Sequence, residues 1–212
     1  MLVPILLALA ALVLVPPATT GRAPGRAGLL IVASFPNLVC DLGLLALEDD
    51  EVVSLAPAGA DPHDYQLTPN DVELLKKADI IVSTAHTPFE AEIRELWARG
   101  ELRGALVEVP SIPGIRLAAN PATGQPNYHM PIYDPGNYKA FLTYLAELMA
   151  ELRPDRAGDY RERAEEAVRA VDSLLRAAPR LDMVAVADLP FAQYAVGWLG
   201  VEVRFLIVKE HG

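Results

Sequence analysis

Four histidines, His63, His86, His129 and His211, are the side chains in this sequence best suited to chemistry, and none falls inside a periodic helix or strand. His63 stands between two aspartates in AGADPHDYQLTPND (58–71), straight after a turn rich in proline and glycine. Imidazole is the commonest metal-ligating side chain, and three such groups converging would suit zinc or a similar divalent ion. A single loop histidine is more often merely solvated or hydrogen-bonded, so convergence is what has to be established. Pro62 fixes the local backbone, and Asp61 or Asp64 is placed to accept the second ring proton of His63. Asp61 equally suits a turn former, and Tyr65 suits core packing beneath the loop. The sequence contains no HExxH, CxxC, GxSxG, Walker or GxGxxG pattern, so the common enzyme signatures are missing.

The elements that must position these residues alternate in type. GLLIVASF (28–35) is a short, continuous apolar run of the kind that forms a buried parallel strand. Pro36 opens a helix through NLVCDLGLLAL, and EVVSLAP reads as a second strand. Thr68-Pro69-Asn70-Asp71 is a helix start, with a capping hydroxyl, proline in the first turn and an acid near the positive end of the dipole. Strand DIIVST (79–84), helix HTPFEAEIRELWARG and strand ALVEVP follow. This βαβα order predicts a parallel sheet covered by helices, with ligands met by loops at the carboxyl ends of its strands. His63 and His86 fall on such loops. His129 lies in an irregular connection, 110–136, long enough to suggest a function. From Asn137 two helical stretches run to about residue 178, broken at Pro154, and the second is charge-rich in the manner of a solvated face. MVAVA, a short helix around PFAQYAVGWLG and VEVRFLIV complete the pattern.

Composition narrows the function. With 52% hydrophobic and 22% charged residues the chain is globular rather than disordered. A formal charge of −10 argues against nucleic acid, which needs basic patches. The single cysteine, Cys40, excludes an internal disulfide and a cysteine-based metal knuckle, and its apolar helical setting predicts a buried thiol. Residues 2–15, LVPILLALAALVLV, are uncharged and short for a membrane span, and they match a signal-peptide core of roughly 7–15 residues. Arg22 and Arg26 follow that run where a leader would have basic residues ahead of it, so an atypical anchor is the alternative to a cleaved signal.

The run AGADPHDYQLTPNDVELLKKADIIVSTAHTPFE resembles the metal-binding substrate-binding proteins of zinc and manganese ABC transporters. Those proteins carry a G-x-DPH-x-Y-x-x-x-P-x-D run, a helix ending in Ala-Asp, a strand, a polar loop and a Phe-Glu or Leu-Glu. YHMPIYDPGNYKAF is similar to the family's histidine followed by an Asp-Pro-x-Asn helix start. The likeness covers most of residues 28–200. It implies two α/β lobes with parallel sheets, joined by a long helix, and a metal held between them. Carried over by position, His63 matches the first ligand and His129 the second. Asp188, in ADLPFAQYAVGWLG, stands where the family has a third-ligand histidine, with the following tyrosine one residue further on. The loop TAHTPFE is one residue longer than the common form. His86 there either completes a three-histidine set, or shapes the rim of the cleft, or has no role in the site.

The resemblance implies an exported receptor that captures Zn2+, with Mn2+ as the alternative, and delivers it to an ABC transporter permease. The expected organisation is a signal peptide or anchor over 1–27, an N-terminal α/β lobe over 28–134, linker and following helices over 135–178, and a partial C-terminal α/β lobe over 179–212. That second lobe is expected to be incomplete, since two strands with little to cover them would leave apolar surface exposed over 180–212. The family's fourth ligand lies beyond residue 212 in the pattern. The competing reading is a zinc-dependent hydrolase using the same histidines, with Asp64 or Glu90 as general base.

Overall fold

The computed structural model of the chain describes residues 27–61 and 63–207. The expected leader, Pro62 and His211 lie outside the described residues, and no helix among those described is long and apolar enough to cross a membrane.

The first sheet has four parallel strands in the order β2-β1-β3-β4. They are β1 (Leu30–Ala33), β2 (Glu51–Ser54), β3 (Ile80–Ser83) and β4 (Ala105–Glu108). Both β1 and β3 are buried at every position, which is why their sequences read as unbroken apolar runs. Successive side chains point to opposite faces. Ile31, Ala33, Ile80 and Val82 therefore pack on one side of the sheet, and Leu30, Val32 and Ile81 on the other.

Helix α1 (Pro36–Gly43) lies on the first face and α2 (Pro69–Leu75) and α3 (Pro88–Ala98) on the second. Each of these three helices has proline in its first turn, where a missing N–H costs nothing. Helix α2 is also capped reciprocally: Asp71 accepts from the Thr68 N–H at 2.8 Å, and Thr68 Oγ1 accepts from the Asp71 N–H at 3.3 Å. Helix α1 is shorter than its apolar pattern predicts, stopping at Gly43 while Leu45 and Leu47 are buried beyond it. Cys40 corrects the expectation of a buried thiol, since it is exposed. Leu38 and Leu42, four residues apart, take the inward face and leave Cys40 on the other.

The connecting helix α4 (Pro135–Leu152) is part of the first core as well as a bridge. Phe141, Leu142, Leu145 and Met149 are fully buried against the first face of the sheet. Helix α5 (Ala157–Ala177) packs along α4, placing Tyr160 and Ala164 in the same core and leaving most of its charged residues in solvent. The turn between them is pinned by Arg153, which donates to both Asp49 oxygens at 2.9 Å, while Tyr160 donates to Asp50 at 2.9 Å. Gly28 is required there, because a Cβ would meet the Asp49 carbonyl oxygen at 1.8 Å.

The second sheet, among the described residues, has two parallel strands, β5 (Met183–Ala187) and β6 (Val201–Leu206), joined through α6 (Ala192–Gly197). Val201, Val203, Ala187 and Tyr194 are buried, whereas Met183, Val184, Val186 and Phe205 are exposed. The apolar surface expected over this region is therefore present.

Candidate metal site

Three of the loops leaving the carboxyl ends of the first sheet carry the described histidines. His63 follows β2, His86 follows β3 and His129 follows β4. Their ring centroids lie 5.9 Å apart for His63 and His86, and 5.0 Å for His86 and His129. One ligand atom from each of the three falls within 4.8 Å of the other two, and this is the cluster of potential metal ligands among the described residues. A tetrahedral zinc with Zn–N of about 2.0–2.1 Å sets its nitrogens roughly 3.4 Å apart.

Each loop reaches its place by local hydrogen bonds. On the first, Asp61 Oδ1 accepts the backbone N–H of His63 at 2.9 Å, so Asp61 acts as the turn former and not as a partner of the ring. Tyr65 folds the loop back onto the sheet. Its hydroxyl donates to Leu55 O at 3.1 Å or to Asp71 Oδ2 at 2.9 Å, and its ring meets Phe89 edge-on at 5.0 Å. Burial, with the Asp71 carboxylate alongside, pushes the phenol up to about 12.

On the second loop, Ala85 has φ of 60°, a left-handed conformation that costs an alanine about 1–3 kcal/mol. Its neighbour Glu90 is buried to 1% exposure and gathers the surrounding donors. Its carboxylate accepts from the N–H groups of Thr84 (2.6 Å), His86 (3.1 Å) and Thr87 (3.1 Å) and from the hydroxyls of Ser83 (3.1 Å), Thr84 (2.8 Å) and Thr87 (2.9 Å). Burial alone would raise this carboxyl, yet the donors hold it below the ordinary value. His86 Nδ1 is 2.8 Å from Thr84 Oγ1.

On the third loop, Asn127 is 1% exposed and its amide is oriented by the groups around it. Its nitrogen donates to Pro190 O at 2.9 Å and to Gln193 Oε1 at 3.0 Å, so its oxygen faces His129. That oxygen accepts the His129 N–H at 3.0 Å and lies 3.1 Å from His129 Nδ1. The amide oxygen cannot donate, so Nδ1 carries the proton and Nε2 keeps its lone pair for a metal. Asn137 braces the same loop, accepting from the Arg116 N–H and donating to Arg116 O and Pro131 O. Met130, next to His129, is also left-handed, with φ of 50°.

Burial lowers the pKa of His86, with Glu90 opposing and His63 adding to the effect. Burial also lowers His129, helped by the neighbouring His86 and His63 rings. Desolvated, mutually repelling imidazoles are neutral ones, and neutral imidazole is the form that binds a metal.

Asp188 is exposed in the bend after β5 and is not a member of the three-histidine group. Its segment is nevertheless tied to the site, through the Pro190 carbonyl that holds Asn127. The supporting roles of Thr84, Asn127 and Asn137 were not read from the sequence, although Asn137 closes the Asp-Pro-x-Asn run noted there. The signal for two of them was spacing: Asp61-x-His63, Thr84-x-His86 and Asn127-x-His129 each place an oxygen-bearing side chain two residues before a histidine.

Comparison with known proteins agrees with this architecture. The family model ZnuA, zinc-uptake complex component A, periplasmic, matches residues 32–200. No curated protein sequence matches significantly. Among solved structures, the solute-binding protein FpvC from Pseudomonas aeruginosa, in complex with Mn2+, superposes with a TM-score of 0.70 at 21% identity, over 87% of this chain and 69% of that one. A crystal structure of ZnuA gives 0.71 at 20% identity over 86% and 71%. The periplasmic zinc-binding protein TroA from Treponema pallidum gives 0.66 at 20% identity over 85% and 66%. Likeness at these identities is a likeness of fold.

Proposed function

The chain belongs to the zinc-uptake complex component A family, and we propose that it is an exported solute-binding protein that captures a divalent transition metal and hands it to an ABC transporter permease in the membrane. The observation that carries this reading is the convergence of His63, His86 and His129, with ligand atoms within 4.8 Å of one another at the strand ends of one sheet. The proposed ligand set among the described residues is these three histidines. What supports leaving Asp188 out is that it is exposed and not a member of the group. The preferred ion is zinc, since a nitrogen-rich site suits it whereas manganese favours carboxylate and water oxygens. Residues 2–15 serve as the export leader or as an anchor.

The hydrolase reading needs a free general base beside the metal. Glu90, one of the two candidates, is buried and saturated with hydrogen-bond donors, so it has no lone pair to offer a water. Calorimetric titration of zinc into the parent and into His63→Ala, His86→Ala and His129→Ala tests the proposal. Each substitution should weaken binding by more than the roughly 10–100-fold that loss of an outer partner costs, and Asp188→Asn should change it by less than about twofold. Parental affinity in all three histidine variants would overturn the reading.

A further inference from the structure

Glu90 belongs to the Phe-Glu pair at the start of α3, and nothing in metal capture by three histidines requires a carboxylate at that place. It is nonetheless the most heavily hydrogen-bonded side chain of the site, and it stands 3.8 Å from the ring nitrogen of His86 with the Thr84 hydroxyl within reach of both. We propose that Glu90 and Thr84 form a buried relay that fixes the tautomer of His86, so that its Nε2 lone pair is always presented to the metal; this rests on the metal-capture reading above.

The argument is one of proton counting. The Thr84 hydroxyl has a single proton. Its oxygen lies 2.8 and 2.9 Å from the two oxygens of Glu90, and an ionised carboxylate only accepts, so the proton points at Glu90. Glu90 is ionised, because five further donors from residues 83–87 converge on it. Thr84 Oγ1 then has only lone pairs to turn toward His86 Nδ1 at 2.8 Å, and Nδ1 must supply the hydrogen. The other nitrogen, Nε2, is left unprotonated. The relay does for His86 what the Asn127 amide does for His129. The carboxylate also grips the backbone on both sides of Ala85, holding the left-handed turn that aims the ring. Glu90 and Thr84 touch no metal in this arrangement and are positioning residues.

The relay is tested on the full chain labelled with 15N, freed of metal and held near pH 7.5. Long-range 1H–15N correlation reads the tautomer of each histidine directly, and a chromophoric chelator in competition reads zinc affinity. In the parent, His86 should be the Nδ1–H tautomer. Thr84→Val should turn it into a tautomer mixture and weaken zinc binding about tenfold. Thr84→Ser, which keeps the hydroxyl, should restore both to within about twofold. Glu90→Gln should act like Thr84→Val if it folds, and the Thr84 pair decides the matter if it does not. A parent whose His86 carries its proton on Nε2, or a Thr84→Val protein with unchanged tautomer and unchanged affinity, overturns the relay. A parent that binds no zinc overturns the proposed function instead, and the tautomer measurement still decides the relay.

Discussion

The two sheets of this protein are built from similar sequences and end in different states. Strands β1 and β3 have neighbours on both edges and helices on both faces, and every one of their residues is buried. Strands β5 and β6 have only each other among the described residues, and Val186, as apolar as Val82, is 61% exposed where Val82 is 0%. All three histidines are carried by loops of the sheet that is covered. The difference teaches that the donors are held by the part of the molecule with the fullest core. Among the described residues, the two-stranded unit meets the site's long loop through Asn127, through the hydrogen bonds of Gln193 and Tyr194, and through the Tyr133–Phe191 ring contact.

That contrast can be broken most decisively in the cores themselves. Phe141→Ala, at a fully buried position under the first sheet, should cost about 3–5 kcal/mol in urea unfolding. Val186→Ala on the exposed face of β5 should stay within about 0.5 kcal/mol. Similar costs at the two sites would mean that the sheets are equally well packed.

Next in size is the link between them. Asn127→Ala removes the acceptor that orients His129 and the donor that holds Pro190. Zinc affinity should fall by roughly 10–100-fold, as for other partners of a liganding histidine. Hydrogen exchange in α6 and β6 should quicken in the same variant, while β1 and β3 are unchanged. A loss of affinity with no change in exchange would uncouple the two regions.

In the parent, exchange should already rank the sheets. Amides of β1 and β3 should open only with global unfolding, and those of β5 and β6 at lower free energy. Limited proteolysis should likewise cut within 180–207 before it cuts 28–130. Uniform protection across the six strands would remove the contrast.

The smallest effect is the pH dependence of the metal-free protein. Burial lowers the folded pKa of His86 and His129 below the usual 6.5, so between those values the unfolded chain binds more protons than the folded one. Their contribution to stability is therefore intact above about pH 6.5 and is lost as pH falls through the lowered folded values. Urea melts at pH 7.5 and 5.5 should show that loss, and the double variant His86→Gln, His129→Gln should show less of it. An equal pH slope in the parent and the double variant would rule out this linkage.

Much of this was legible in the residues alone. The apolar runs of β1 and β3, the prolines that open α1, α2 and α3, and the Thr68–Asp71 cap are local signals, and they act over a few residues whatever the rest of the chain does. The alternation of strands and helices then dictates a parallel sheet with its loops at one end, which is why the order of elements alone places His63 and His86 on the same edge. Patterns fail where a position is decided by distant neighbours. Cys40 looked buried because its helix is apolar on more than one side, and only packing chose the side that holds Leu38 and Leu42. Asp61 had the chemistry to hold an imidazole, and the turn used it for a backbone N–H instead. The convergence of His63, His86 and His129 joins residues far apart in sequence, and it is fixed by strand order, by the reach of three loops and by the buried polar groups that brace them. The sequence determined which side chains could bind a metal; the tertiary structure decided which of them meet, because distance in space depends on the whole sheet and not on local spacing.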